Sequence, residues 1–269
     1  MRKLLALTLI VFFATFLGCK EKSPEEKGKE ALKAAAEKVP DAPDKVVTEA
    51  AKAVKEGNLV LLYAMLPASY QKDVQDVVKS VGANMDKDVY EKAFALLPKA
   101  VEALKGNEQF KPFVPAAEGA LKIFKGAKLD THAGLAAMDV AAFLGEHGKA
   151  ITDLGWQIAE IAGEKDAKAK LEVTAKLKGE AGEKEATVEV TADGKTEEVK
   201  FVKIEGKWIP EDMSKEWKEG IEQAKKGVTE GLKGMMEQKE AIVQQIDAVG
   251  KALDEGKTDQ IQQMMGAMF

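Results

Sequence analysis

The sequence has little of what most catalytic chemistries need. Its 269 residues contain one cysteine and two histidines. A single cysteine excludes an intramolecular disulfide and a cysteine-ligated zinc site. Two histidines exclude a histidine-rich metal centre. There are only four serines, Ser23, Ser69, Ser80 and Ser214, and none stands in a Gly-x-Ser-x-Gly elbow. Neither the P-loop pattern nor Gly-x-Gly-x-x-Gly after a strand occurs, so no loop is built to cradle phosphate. Basic excess is also missing. Lys and Arg number 40 against 45 Asp and Glu, a net charge of −5, which argues against a broad nucleic-acid footprint. What is present is an ordinary apolar fraction of 45%, which excludes wholesale disorder and is enough to build a sizeable core.

The N-terminus carries an address. Arg2 and Lys3 precede an apolar run over residues 4–17, broken only by Thr8 and Thr15. A membrane-spanning helix needs about 20 apolar residues, so the run is too short to cross and has the length of a secretory signal. Gly18 and the lone Cys19 follow, then Lys20, Glu21 and Lys22. Phe16-Leu17-Gly18-Cys19 resembles the lipobox of bacterial lipoproteins, although Phe at its first position departs from the usual Leu. The resemblance implies cleavage before Cys19, diacylation of its sulfur with fatty acids such as palmitate, and acylation of the new amino group. It implies anchorage in the cell envelope. Lys20 in place of the aspartate that retains some lipoproteins at the inner membrane points to the outer one. Two or more acyl chains hold a protein stably to a bilayer, whereas one does so only marginally. Removing residues 1–18 takes away Arg2 and Lys3 and leaves a net charge of −7. The lipid, not charge, is therefore the expected anchor.

The rest of the chain divides by composition into a flexible tether over 19–43, an α+β domain over 44–212 with a large helical insertion at about 82–165, and a C-terminal helical segment over 213–269. Asp44 caps a first helix that Gly57 ends, and Asn58 opens the apolar segment 59–66, stopped by Pro67. Ser69 reads as the cap of the stripe Tyr70, Val74, Val77, Val78, Val81. Asp88 with Glu91 reads as a capping box, and Pro98 is expected to kink or split the helix behind it. Pro115 suits the first turn of a further helix. Residues 135–144 read as one buried helix, and Ile151, Leu154, Ile158 and Ile161 as another, closed by Gly163.

At about Lys170 the apolar period changes from 3.6 to 2. Leu171, Val173, Ala175, Leu177, then Val188, Val190, Val199 and Phe201 alternate with polar residues, and Asp193-Gly194 is a hairpin turn. Val202 and Ile204 fall on the opposite phase, which predicts a bulge or a strand covered on both faces. The fold class is thus α+β: an antiparallel meander of three to four strands covered by helices, mostly helical overall, with a long C-terminal helix. That helix carries a near-heptad seam, Trp217, Ile221, Ala224, Val228, Met235, Ile242, Ile246, Val249 and Leu253, of the kind used in coiled coils. Gly220, Gly227, Gly231 and Gly234 lie on a flank beside it, and close approach of another backbone is the expected reason.

A helix ending at Gly57-Asn58, an apolar helix ending in Pro67, and a meander closing with Val199 to Ile204, Glu205-Gly206 and Lys207-Trp208 resemble the cone fold of the nuclear-transport-factor-like superfamily, common among bacterial lipoproteins. The resemblance spans under a third of the chain. It implies early helices lying in the concave face of a curved sheet; the alternative is an unrelated helical domain with a β-meander insert.

Four groups invite chemical roles. His132 and His147, each near acids, read as helix-terminal residues favoured by the dipole. Glu197 and Glu198 point to opposite strand faces and cannot cooperate. Trp156, Trp208 and Trp217 read as core, with a sugar or lipid pocket as the alternative. Met213, Met235, Met236, Met264, Met265 and Met268 read as core filler, with copper(I) binding as the alternative. No catalytic, cofactor or metal residue is singled out; the one site residue is Cys19, for lipidation. The functional expectation is a non-catalytic binding or structural lipoprotein. It meets the bilayer through acylated Cys19, and a protein partner or second copy through the 213–253 helix. The alternatives are a carrier of an apolar or lipid-like ligand held between sheet and helices, and less readily an enzyme such as a hydrolase.

Overall fold

The computed structural model describes residues 23–256 apart from 107 and 109. The change of period at about Lys170 marks the start of a meander. Strands β1 (Val173–Leu177), β2 (Glu185–Ala192), β3 (Lys195–Ile204) and β4 (Lys207–Pro210) form one sheet in chain order, antiparallel throughout. Two tight turns set the register. Asp193 and Gly194 have φ of 52° and 71°, and Glu205 and Gly206 have 48° and 77°. Paired positive φ matches the twist of the flanking strands. Val188 therefore faces Val199 and Ala186 faces Phe201. A Cβ at Gly194 meets no atom within 4 Å, so substitution there costs only backbone strain. Gly194→Val should lower stability by about 1–2 kcal/mol, and Gly194→Asn by less, because Asn tolerates this conformation. Equal melting midpoints for wild type and the valine variant would contradict the turn.

The inner face of the sheet is covered by α2 (Pro43–Glu56) and α3 (Leu59–Met65). Val46, Ala53, Leu61 and Met65 pack there against Ala186, Val188, Val190, Phe201 and Trp208. Gly57, at φ 77°, ends α2 in the left-handed conformation that favours glycine. The sequence of α3, Leu-Val-Leu-Leu-Tyr-Ala-Met, is apolar all round because it sits between two cores. Its other side, Leu59 and Tyr63, joins a helical core with Val78, Leu129, Met138, Val140, Phe143 and Leu144. That core is built by α4 (Ala68–Asn84), α5 (Lys87–Lys105), α6 (Val114–Gly126), α7 (His132–Ala136) and α8 (Val140–Ile161). A short α9 (Ala167–Lys170) leads into β1.

Several local expectations change. Ser69 lies inside α4, and its backbone N–H donates to the Glu205 carboxylate at 3.0 Å, so the cap comes from the β3–β4 turn. The Ser69 hydroxyl and then its backbone N–H hold the Glu205 carboxyl below the usual carboxylate range. Asp86, not Asp88, caps α5, accepting from Val89 N–H at 3.0 Å, while Glu91 pairs with Lys87. Pro98 sits within α5 without splitting it. Residues 135–144 are not one helix: Asp139 caps a new one, which continues unbroken through Ile161. The register of β2 and β3 runs through Val202 without a bulge, and α10 (Glu211–Glu237) packs against β3 and β4. Of the two readings of Val202 and Ile204, cover on both faces is the one found.

The long C-terminal helix is two helices, α10 and α11 (Lys239–Asp254), broken at Gln238. The break follows the body beneath. Trp217 of α10 stacks on Tyr70 of α4 with centroids 4.0 Å apart, and Lys225 reaches Asp73 at 3.2 Å. Lys239 meets Asp86 at 2.9 Å, at the corner between α4 and α5. Lys92–Asp247 and Lys99–Asp254, at 2.8 and 2.7 Å, then lay α11 along α5 in parallel. The nine seam residues are all half-buried, on helices laid against their own body. The glycine flank does not explain itself as expected. A Cβ at Gly220, Gly227, Gly231 or Gly234 meets nothing within 4 Å.

Candidate functional site

The largest departure from the sequence reading is at the start of the described chain. Residues 24–36, expected as part of a solvated tether, form helix α1 (Pro24–Ala36) docked on α8 and α3. Ser23 and Glu26 make a reciprocal capping box: the Ser23 hydroxyl accepts from Glu26 N–H at 3.2 Å, and Ser23 N–H donates to Glu26 Oε2 at 3.1 Å. Pro24 fills the first helical position, where its missing N–H costs nothing. Gly28 is buried, and a Cβ added to it would lie 1.8 Å from Asp139 Oδ1. One turn on, a Cβ at Gly145 of α8 would lie 3.1 Å from the Ala31 methyl. Glycines inside helices cost about 1 kcal/mol each against alanine, and here close approach of α1 is the reason for them.

Asp139 is the centre of this junction. It accepts from Ala142 N–H at 2.9 Å, and Gln75 of α4 clamps the same corner, donating to Met138 O at 2.7 Å and accepting from Val140 N–H at 2.9 Å. Burial pushes the Asp139 carboxyl above its ordinary value, against the opposing pull of two backbone N–H groups and Lys79. A carboxyl raised in the folded state favours the protonated form. Its contribution is present at low pH and is lost as pH rises through the carboxylate range. Asn caps helices as well as Asp does. Asp139→Asn should therefore match or exceed wild-type stability at neutral pH, with the difference shrinking on acidification. Denaturant melts at neutral and acidic pH check this; a loss confined to neutral pH would contradict it.

The residues singled out for chemistry do not converge. His132 opens α7, with its Nε2 2.9 Å from Met85 O and its ring edge-on to Tyr90. His147 lies mid-helix in α8 against Phe143, where burial pushes its pKa down. Neither is at a helix C-terminus as expected. Trp208 donates to Asp41 O at 2.8 Å within the sheet core, and Trp217 to Asp73 at 3.2 Å under α10. Trp156 is half-buried on α8 with its Nε1 unpartnered. Met213 and Met235 are about 33 Å apart along α10 at 1.5 Å per residue, and Met236 is exposed. Cys19, Met264, Met265 and Met268 lie outside the described residues. Among the described residues, no group of three or more His, Cys, Asp or Glu could hold a metal ion, and no helix is long and apolar enough to cross a membrane.

Two open grooves mark the surface. One, of about 330 Å³, lies between α1, the α3–α4 corner and the β3–β4 turn, with Leu32, Ala64 and Leu66 on its floor and Lys29, Lys33 and Lys207 among its lining. The other, of about 360 Å³, runs along the α5–α11 seam. The space between sheet and helices is filled by Val46, Leu61, Met65, Val188, Phe201 and Trp208. Comparison with known proteins finds no matching family model, no matching curated protein and no matching solved structure.

Proposed function

We propose that the chain is a lipid-anchored protein of the bacterial envelope, at the outer rather than the inner membrane, whose folded body is a non-catalytic binding or structural module. The observation that carries this is Phe16-Leu17-Gly18-Cys19 directly after a short apolar run with Arg2 and Lys3 before it. The packing supports a module that works through its surface. His132 and two of the three tryptophans bridge separate elements, and His147 is half-buried against Phe143 of its own helix. A carrier would need room between sheet and helices, where large side chains already interlock. The placement of α2 and α3 over the sheet is in keeping with the cone-fold resemblance.

Cys19→Ala tests the reading. In cells fed an alkyne-tagged fatty acid, the wild-type protein is expected to take up the tag. The variant is expected to lose the tag and to keep its signal, because the sulfur that is acylated before cleavage is gone. A variant tagged and processed like the wild type would refute the assignment.

A further inference from the structure

We infer that the folded body sits directly on the bilayer surface, with the end where α1, α4 and α8 converge held at the lipid headgroups. The inference rests on the anchor reading above, and its content comes from how few residues separate Cys19 from the docked helix α1. Only Lys20, Glu21 and Lys22 separate Cys19 from the cap residue Ser23. Fully extended, the chain from Cys19 to Ser23 reaches about 14 Å. Beyond Ser23 no slack remains. The capping box fixes the first turn of α1, Gly28 is closed over Asp139, and Gly28 and Ala35 are buried. A stalk over 19–43 would let the body drift tens of ångströms from the membrane; a docked α1 does not.

The face held there is defined by its charges. Gly28 of α1 stands against Asp139 of α8, and Gln75 of α4 bonds to Met138 O and Val140 N–H beside it, which brings the three helices together at this end, with Lys79 one turn from Gln75 on α4. Lys29 pairs with Glu25 at 2.7 Å. Opposite charges offset one another, so anionic lipid is not what holds the face down, and added salt should not release it.

The test uses the acylated protein that begins at Cys19, in phosphatidylcholine vesicles containing a lipid with a nitroxide on its headgroup. Because acylation consumes the Cys19 sulfur, Lys79→Cys supplies the one free thiol, at an exposed position, for a fluorophore. The nitroxide lipid is expected to quench the label at low and high salt alike. Inserting a Gly/Ser linker of about twenty residues between Lys22 and Ser23, with a root-mean-square span of roughly 25 Å, should restore emission. Acylated, vesicle-bound protein whose label is unquenched, or whose quenching survives the linker, overturns the inference while leaving the anchor intact. Protein that lacks acyl mass and does not float with the vesicles overturns the anchor reading and the inference with it.

Discussion

Gly28→Ala is expected to destabilise the folded chain by about 2–3 kcal/mol, through one lost cap or one overpacked helix contact. The added methyl would lie 1.8 Å from Asp139 Oδ1. Either α1 lifts away from α8, or the Asp139 side chain rotates and abandons the Ala142 N–H it caps. The sign of the effect is the point. In a solvated helix, replacing glycine by alanine gains about 1 kcal/mol. A docked helix loses stability instead. Asp139→Ala should cost about 1 kcal/mol alone, as a lost cap, and should remove most of the penalty of Gly28→Ala when the two are combined. A coupling of at least about 1 kcal/mol in that cycle, read by chemical denaturation, supports the contact. Additive effects, or a stabilising Gly28→Ala, would mean that α1 is not seated on α8.

The opposite outcome is expected on α10. Gly220, Gly227, Gly231 and Gly234 lie in the helix without positive φ, and a Cβ at each would stand in open space. Replacing all four with alanine should stabilise the protein by about 3–4 kcal/mol, at close to 1 kcal/mol each. For a body of this size that is roughly 10 °C in melting midpoint. Gly250 on α11 is the contrast, because a Cβ there would meet Leu96 Cδ2 at 3.1 Å. Gly250→Ala should bring no comparable gain. Destabilisation by the fourfold variant, or loss of a wild-type assembly seen in light scattering, would show that the flank packs against a second copy.

What the sequence disclosed, and what it hid, divides by how far apart the interacting residues are. The meander was legible because strand burial is a local period: Val188 and Val190 alternate with polar residues, and Asp193-Gly194 announces its turn. Gly57 was legible as a helix stop for the same reason. The cap that Glu205 gives α4 was not, since it joins residues 136 positions apart. The break at Gln238 has no local signal either; it answers to the α4–α5 corner, where Lys239 meets Asp86. Residues 31–39 are compatible with a short helix on composition, but the start of α1 at Pro24 and its docking are not read there, although Ser23-Pro24-Glu25-Glu26 spells a capping box. Its polar composition read as a stalk, and the docking partner that gives Gly28 its meaning is Asp139, far along the chain. His147 reads as a helix end only if 135–144 and 151–161 are separate helices, whereas α8 runs unbroken from Val140 to Ile161; His132 is at a helix end, but the N-terminal one of α7. Of the candidate site, Cys19 is legible only as a motif and lies outside the described residues, while the junction of α1 with α8 is visible only in the fold.

The anchor is the claim on which the account turns, and the intact mass of the native protein extracted from its membrane tests it most directly. The account predicts a chain that begins at Cys19 and carries fatty-acyl mass on that residue. A chain that begins elsewhere, or one with an unmodified thiol at Cys19, would contradict it.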